Sequence, residues 1–142
     1  MSAVVTALTA AFGADRVKVD APLAPLTTFK VGGAASVLFE PLNSDELLSA
    51  LAIARAAGEP VTMLGGGSNV LISDHGLRGL VLRPRGGTIN PVGDRLVRAD
   101  AATTINGLVR WTINRGYAGL EAWAGTPGTV GGALFGNAHW KN

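Results

Sequence analysis

Val61-Thr62-Met63-Leu64-Gly65-Gly66-Gly67-Ser68-Asn69-Val70-Leu71-Ile72 is the stretch on which the fold turns. An apolar run of strand length drives straight into three glycines, and a second extended run, Val70–Ile72, follows. Ahead of it lies a helix with readable ends. Asn43 or Ser44 is placed to cap it, Asp45 and Glu46 put negative charge in its first turn, and Gly58 and Pro60 stop it. Leu47, Leu51 and Ala54 fall on one face, with Leu48 beside them. A strand, Ser36–Glu40, precedes that helix. Strand, helix and strand at this spacing make a βαβ unit. Ser36–Glu40 and a buried Val61–Leu64 are therefore expected to run parallel. The glycines then emerge from the carboxyl end of a strand, where α/β folds bind ligands.

Working outward, Ala3–Phe12 predicts an amphipathic helix closed by Gly13, and Val17–Pro25 reads as extended chain. Thr27–Gly33 is a short mixed stretch ending in a turn. Beyond the loop, Gly79–Leu82 is a short strand, and then the texture changes. Thr88–Val92, Gly93-Asp94 and Leu96–Ala101 read as a β-hairpin with a glycine-first turn. A helix from Thr104 to Arg115 follows, with Ile105, Leu108, Val109 and Ile113 as its apolar face and Gly116 closing it. Proline and glycine cluster at Pro84–Gly87 and mark a boundary. The expected organisation is an N-terminal segment 1–22, a first lobe 23–84 and a second lobe 85–142. A hairpin and one helix make a thin lobe, so the second is expected to be incomplete or to need a partner for its sheet.

The bulk properties of the 142 residues narrow the function classes. Hydrophobic residues at 47% against 15% charged residues exclude a disordered chain. A net charge of +2 and no basic-aromatic run leave no nucleic-acid footprint. The absence of cysteine removes disulfides, thiolate metal sites and cysteine nucleophiles together. Isolated His75 and His139 make no metal site. No basic residue precedes the apolar N-terminus, and the apolar run Leu47–Ala57 is interrupted by Arg55. A soluble, cytoplasmic protein without membrane partners is expected.

The 20 glycines are the most unusual feature, because each costs conformational entropy on folding. In Gly65-Gly66-Gly67-Ser68-Asn69 successive N–H groups can point into one anion-binding concavity, with Ser68 and Asn69 adding side-chain donors. A tight turn between two strands is an equal reading of this loop on its own. It is neither a Walker A loop, for no lysine follows Gly67, nor a Rossmann fingerprint, for Val70 stands where the third glycine belongs. The second cluster is Gly125-Thr126-Pro127-Gly128-Thr129-Val130-Gly131-Gly132-Ala133. Here Pro127 suits a first helical position, and Thr126 and Thr129 offer hydroxyls beside freed N–H groups. A glycine-rich helix start packed on a strand is the competing reading. Two such loops in different lobes are expected to grip one elongated dinucleotide.

In this order and spacing, with Thr28-Phe29-Lys30-Val31-Gly32-Gly33 upstream, Gly119-Leu120-Glu121 between and Gly136-Asn137-Ala138 after, the motifs resemble the bacterial UDP-N-acetylenolpyruvoylglucosamine reductases. The resemblance runs from about Leu23 to Ala138. It implies an α+β fold, the two-lobed FAD-binding fold of the vanillyl-alcohol-oxidase type. It implies that Gly65, Gly66, Gly67, Ser68 and Asn69 hold the FAD pyrophosphate, and that Pro127, Gly128, Thr129, Gly131, Gly132 and Asn137 line the flavin. In the family NADPH reduces FAD, and hydride then passes from flavin N5 to the enolpyruvyl group of a UDP-sugar in peptidoglycan synthesis. The chain departs from the family at His139-Trp140-Lys141-Asn142 and lacks counterparts of its catalytic arginine, serine and glutamate. No catalytic residue is therefore assigned. The chain alone is expected to be inactive and to meet the UDP-sugar only with a further C-terminal part. A non-catalytic FAD-binding module and a different flavin oxidase on the same fold are the alternatives. Relatives that bind FAD covalently use a histidine in the first loop; Ser68 and Asn69 stand here, so non-covalent FAD is expected. Glu121 is read as structural, Trp111, Trp123 and Trp140 as core or interface, Arg83 and Arg85 as solvated, and Lys30 is without a role.

Overall fold

The computed structural model describes residues 2–139, and Trp140 therefore lies outside the described residues. The chain divides into two compact units, Met1–Arg85 and Gly86–Asn142.

The first unit is built on a four-stranded sheet of β1 (Val17–Pro22), β2 (Ala34–Phe39), β3 (Val61–Met63) and β4 (Leu77–Leu82), in the order β1-β2-β4-β3. β1 pairs antiparallel with β2, whereas β4 pairs parallel with both β2 and β3. The strands flanking the central helix are thus parallel as expected, but β4 is inserted between them. Helix α1 (Ala3–Phe12) ends where Gly13 N–H returns to the Thr9 carbonyl at 2.9 Å. In α2 (Ser44–Ala56) Asn43 is the cap: its Oδ1 accepts from Glu46 N–H at 2.9 Å. The Glu46 carboxylate reaches back to accept from Leu42 N–H at 2.9 Å, so one side chain at each end closes the first turn.

Apolar residues line both faces of this sheet. On one, Val37, Phe39, Leu80 and Leu82 pack with Val4, Val5 and Leu8 of α1 and Ala50 and Ala54 of α2. Phe12 stacks on Phe39 with centroids 4.6 Å apart. The other cluster joins Ala21, Leu23, Ala35, Leu38, Leu64, Ile72 and Val81.

Three expectations need correction. The Val61–Leu64 run is not a buried strand: β3 is an edge strand with Val61 and Met63 exposed, and only Leu64, past its end, is buried. Val70–Ile72 forms no strand; Leu71 is exposed, and this segment's neighbour is the glycine turn at 32–33 instead of a ladder. On α2 the buried pair is Ala50 and Ala54, while Leu48 is 64% exposed. Small side chains let the helix sit close to the sheet, and that moves the contact line off Leu48.

The second unit holds the hairpin β5 (Ile89–Val92) and β6 (Leu96–Ala99), helix α3 (Ile105–Ile113) and the short helix α4 (Val130–Phe135). The hairpin is antiparallel with Val92 opposite Leu96, so Gly93, Asp94 and Arg95 all lie in the turn, with Gly93 at φ 63°. Thr104 caps α3 by accepting from Gly107 N–H at 3.0 Å. Ile105 and Val109 of its expected face are buried; Ile113 is exposed and Thr112 takes the inward position. Gly116 closes the helix at φ 73°.

Candidate functional site

The first glycine loop is planted by Leu64, whose N–H donates to the Leu82 carbonyl at 2.8 Å and whose side chain is buried in the second cluster. From there the loop lies on the chain at 26–28. Gly67 has φ 71°, and a Cβ there would collide with the Leu26 carbonyl oxygen. Its own carbonyl accepts from Thr28 N–H at 2.9 Å. Thr27, buried, stiffens that support by donating its hydroxyl to the Ala24 carbonyl at 3.1 Å and accepting from Lys30 N–H at 3.1 Å. Lys30 sits at φ 56° and donates Nζ to the Pro25 carbonyl at 3.0 Å, which ties it into the same buttress. Gly33 donates its N–H to Ser73 O at 2.9 Å, and a Cβ on it would strike the Asp74 carbonyl.

The donors of this loop are left over by that packing. No backbone N–H from Gly65 to Asn69 meets an acceptor among the described residues, and neither does the Ser68 hydroxyl or the Asn69 carboxamide. Gly67 is buried, and Gly65 and Ser68 are half-buried. Backbone groups so placed are almost always paired in a folded chain. A continuous run of unpaired donors on glycine-rich backbone has the chemistry of an anion cradle.

The second loop is different in kind. Gly125 (φ 84°) donates to Asn106 Oδ1 at 2.7 Å, and Thr126 N–H donates to the Trp123 carbonyl at 3.0 Å. Thr129 pairs with Thr104 in an isolated antiparallel bridge flanked by Ile105 N–H to Gly128 O at 3.0 Å and Val130 N–H to Thr103 O at 2.8 Å. Gly131 N–H donates to Ala101 O at 2.9 Å, and a Cβ on Gly131 would stand 2.9 Å from the Ala101 Cβ. The Thr129 hydroxyl caps α4 by accepting from Gly132 N–H at 3.2 Å. Pro127 therefore does not open a helix; α4 starts at Val130 because Gly128, at φ 107°, holds the preceding backbone extended against Thr104. The amides of Gly131 and Gly132 are spent inside the protein, and the Thr129 hydroxyl serves as a cap instead of a free donor. Only Gly128 and Thr129 keep unpaired N–H groups in the 125–133 segment besides Pro127, which has none. Asn137 follows in a left-handed conformation, φ 47°, with its N–H on Leu134 O at 3.2 Å.

Sequence reasoning passed over Thr103. It is 5% exposed, and its hydroxyl has no hydrogen-bond partner. The sequence reading begins a helix at Thr104, and nothing local distinguishes that cap from its buried neighbour Thr103.

Charge in the first unit gathers on Glu40, which accepts from Lys18 Nζ at 3.1 Å and Arg83 Nη1 at 3.0 Å, with Arg85 Nε at 3.7 Å. Arg83 is thus not a solvated arginine; its side chain is only 17% exposed. Burial pushes the Glu40 carboxyl up, but the hydrogen bonds from Lys18 and Arg83 outweigh it and hold the group below the ordinary carboxylate value. Arg16 does the same for Glu46, at 2.8 Å, helped by the Leu42 amide. Glu121 is exposed and accepts from Gly119 N–H at 2.7 Å; its own amide and that of Gly119 hold its carboxyl low. That is a loop-closing role.

Trp111 stacks with Tyr117, ring centroids 5.9 Å apart, and lies 4.1 Å from the Arg115 guanidinium. Trp123 lines an apolar hollow of about 200 Å³ in the second unit with Leu108, Leu120, Val130 and Leu134. His75 and His139 are exposed, and the described residues hold no His, Asp and Glu group able to bind a metal. No helix among them is long and apolar enough to cross a membrane.

Residues 35–142 match the family described as FAD binding domain. The chain is 50% identical over 125 residues to a UDP-N-acetylenolpyruvoylglucosamine reductase from Synechococcus sp. (strain JA-3-3Ab), covering 87% of this chain and 40% of that protein. The enzyme of the same name from Rubrobacter xylanophilus is 49% identical over 125 residues, with 85% and 41% covered. The chain thus spans about two fifths of the length of the curated relatives it matches. Among solved structures, UDP-N-acetylenolpyruvylglucosamine reductase from Thermus caldophilus superposes with a TM-score of 0.64 at 32% identity, over 88% of this chain and 44% of that one. 4-Ethylphenol oxidase from Gulosibacter chungangensis superposes with a TM-score of 0.59 at 18% identity, over 80% of this chain and 24% of that one. The second likeness speaks to fold alone.

Proposed function

The chain belongs to the FAD binding domain family, with the α+β fold of the vanillyl-alcohol-oxidase type, and from that premise we propose that it is the FAD-holding part of a UDP-N-acetylenolpyruvoylglucosamine reductase. The observation that carries the reading is the unpaired donor run from Gly65 to Asn69. A dinucleotide presents a diphosphate with enough acceptor oxygens to satisfy such a run, and charge-assisted N–H···O bonds are the strong ones. Gly66 and Gly67 carry no side chain to crowd the phosphates. The support from Leu26 and Thr28 fixes the loop before any ligand arrives, so little ordering entropy is spent on binding.

In the second unit, Pro127, Gly128, Thr129, Gly131, Gly132 and Asn137 line the flavin in this reading. Gly128 and Thr129 contribute the free N–H groups, while Gly131 and Gly132 present bare backbone whose amides already serve the fold. With Ser68 and Asn69 in the first loop and His75 exposed beyond it, the cofactor is held without a covalent bond. When bound, FAD supplies hydride transfer, taking reducing equivalents from NADPH and passing them to the enolpyruvyl group of UDP-N-acetylglucosamine enolpyruvate in cytoplasmic peptidoglycan synthesis. This chain's residues bind and orient that cofactor; the substrate is met with the remainder of the reductase. Titrating the purified chain with FAD tests the reading: the visible flavin band should shift and its fluorescence quench to saturation at one equivalent. Denaturation should then release all the colour. A chain that leaves FAD spectra unchanged refutes it.

A further inference from the structure

We propose that the Thr103 hydroxyl is a further cofactor-binding group, a donor kept unpaired in the protein so that a ligand acceptor can take it; this rests on the FAD reading above. A buried hydroxyl without a partner costs free energy, and a fold has every means to remove that cost with valine, which has the same shape. Thr103 is 5% exposed and its Oγ1 has no partner. Its place in the chain is the second half of the argument. Its carbonyl takes the Val130 N–H at 2.8 Å, its neighbour Thr104 bridges Thr129, and Ala101 O takes the Gly131 N–H at 2.9 Å. Segment 101–104 is therefore joined by backbone hydrogen bonds to the second glycine loop. That loop also keeps the unpaired N–H groups of Gly128 and Thr129, next in sequence to the residues that bond to this segment.

What covers the hydroxyl is glycine. Gly87, at φ 130°, approaches so closely that a Cβ on it would stand 2.6 Å from Thr103 Oγ1 and 2.8 Å from its amide nitrogen. Gly86, beside it, also has a positive φ of 77°. Neither Gly86 nor Gly87 makes a hydrogen bond among the described residues. Gly87 thus packs on the hydroxyl without a side chain and without accepting a hydrogen bond from it.

The test is Thr103→Val in the 142-residue chain, with Thr103→Ser as its control. Without flavin, Thr103→Val should melt about 2–4 °C above wild type, since an unsatisfied buried donor is gone. In a fluorescence titration the same variant should bind FAD about three- to tenfold more weakly, and Thr103→Ser should keep wild-type affinity. A variant raised in stability but unchanged in FAD affinity overturns the proposal and leaves the FAD reading intact. So does a Thr103→Ser protein as weak as Thr103→Val, which would trace the loss to packing. If the wild-type chain itself does not bind FAD, the reading and the proposal fall together. Should Thr103→Val fail to fold, a wild-type Thr103→Ser affinity supports the proposal and a weakened one overturns it.

Discussion

Gly67→Ala separates the two jobs a glycine loop can do. If the loop were only a phosphate cradle, the substitution would weaken FAD binding and leave the protein without flavin unharmed. The structure says otherwise. Gly67 has φ 71°, and holding an alanine in the left-handed region costs about 1–2 kcal/mol. The added Cβ would land on the Leu26 carbonyl oxygen, a backbone atom that cannot swing away, and overpacking of this kind costs roughly 1–3 kcal/mol. Relief by moving the loop would break the Thr28 N–H to Gly67 O bond at 2.9 Å, worth about 1 kcal/mol. That bond breaks only if the clash is relieved, so the first two terms set the cost at about 2–5 kcal/mol, a large part of the ~5–15 kcal/mol that holds a domain together. At a urea slope of about 1.5 kcal/mol/M the midpoint should fall by roughly 1–3 M. Far-UV circular dichroism in the absence of flavin is the assay. Trp111 and Trp123 both belong to the unit Gly86–Asn142, so their fluorescence follows that unit and serves as an internal control. A flavin-free midpoint within ~0.3 M of wild type would refute the claim that the chain's own backbone demands this glycine.

Glu40→Gln should cost about 1–3 kcal/mol, because it leaves the mostly buried Arg83 without its anion. The folded-state carboxyls of Glu40 and Glu46 lie below their ordinary value, so their stabilisation is present above the unfolded pKa of about 4.3 and is lost as pH falls through the folded one. Urea midpoints measured from about pH 6 down to pH 3 should therefore fall less steeply in Glu40→Gln than in wild type; parallel curves would show that Glu40 is not the group being titrated. Gly131→Ala should gain about 1 kcal/mol of helix propensity but lose more to the Ala101 contact at 2.9 Å, for a net loss near 1 kcal/mol. Tryptophan fluorescence in urea measures it, and a stabilised variant would contradict the packing.

Helix ends and turn positions were legible in the sequence because the forces there are local. Asn43 caps α2 through a bond three residues away, and Thr104 caps α3 in the same manner. Periodicity sufficed for α1, β2 and the hairpin. It failed for Val61–Leu64 and Val70–Ile72, where an apolar run does not reveal whether a strand has neighbours on both sides, one side or neither. It failed again for Arg83, whose partner Glu40 is 43 residues away.

The glycines carry the deeper limit. Their clustering announced that backbone must approach something closely, and it could not say what. Gly33, Gly67 and Gly131 turn out to approach other parts of this chain, at Asp74, Leu26 and Ala101. Those contacts depend on the folded arrangement, so no window of sequence contains both partners. Gly65, Gly66 and Gly67 all carry N–H groups with no acceptor among the described residues, yet Gly67 is also the one whose Cβ would strike Leu26. One glycine thus answers to two needs at once, giving up its Cβ to let the chain pass and keeping a donor in reserve. A ligand reading built on glycine count alone would claim Gly67 and Gly131 for the cofactor on the wrong grounds. Built on unpaired donors, it selects Gly65, Gly66, Gly67, Ser68 and Asn69 in the first unit, and Gly128, Thr129 and Thr103 in the second. The distinction is physical: adding a Cβ at the first kind of position lowers the stability of the protein without flavin, whereas removing a reserved donor, as in Thr103→Val, weakens FAD binding without lowering that stability.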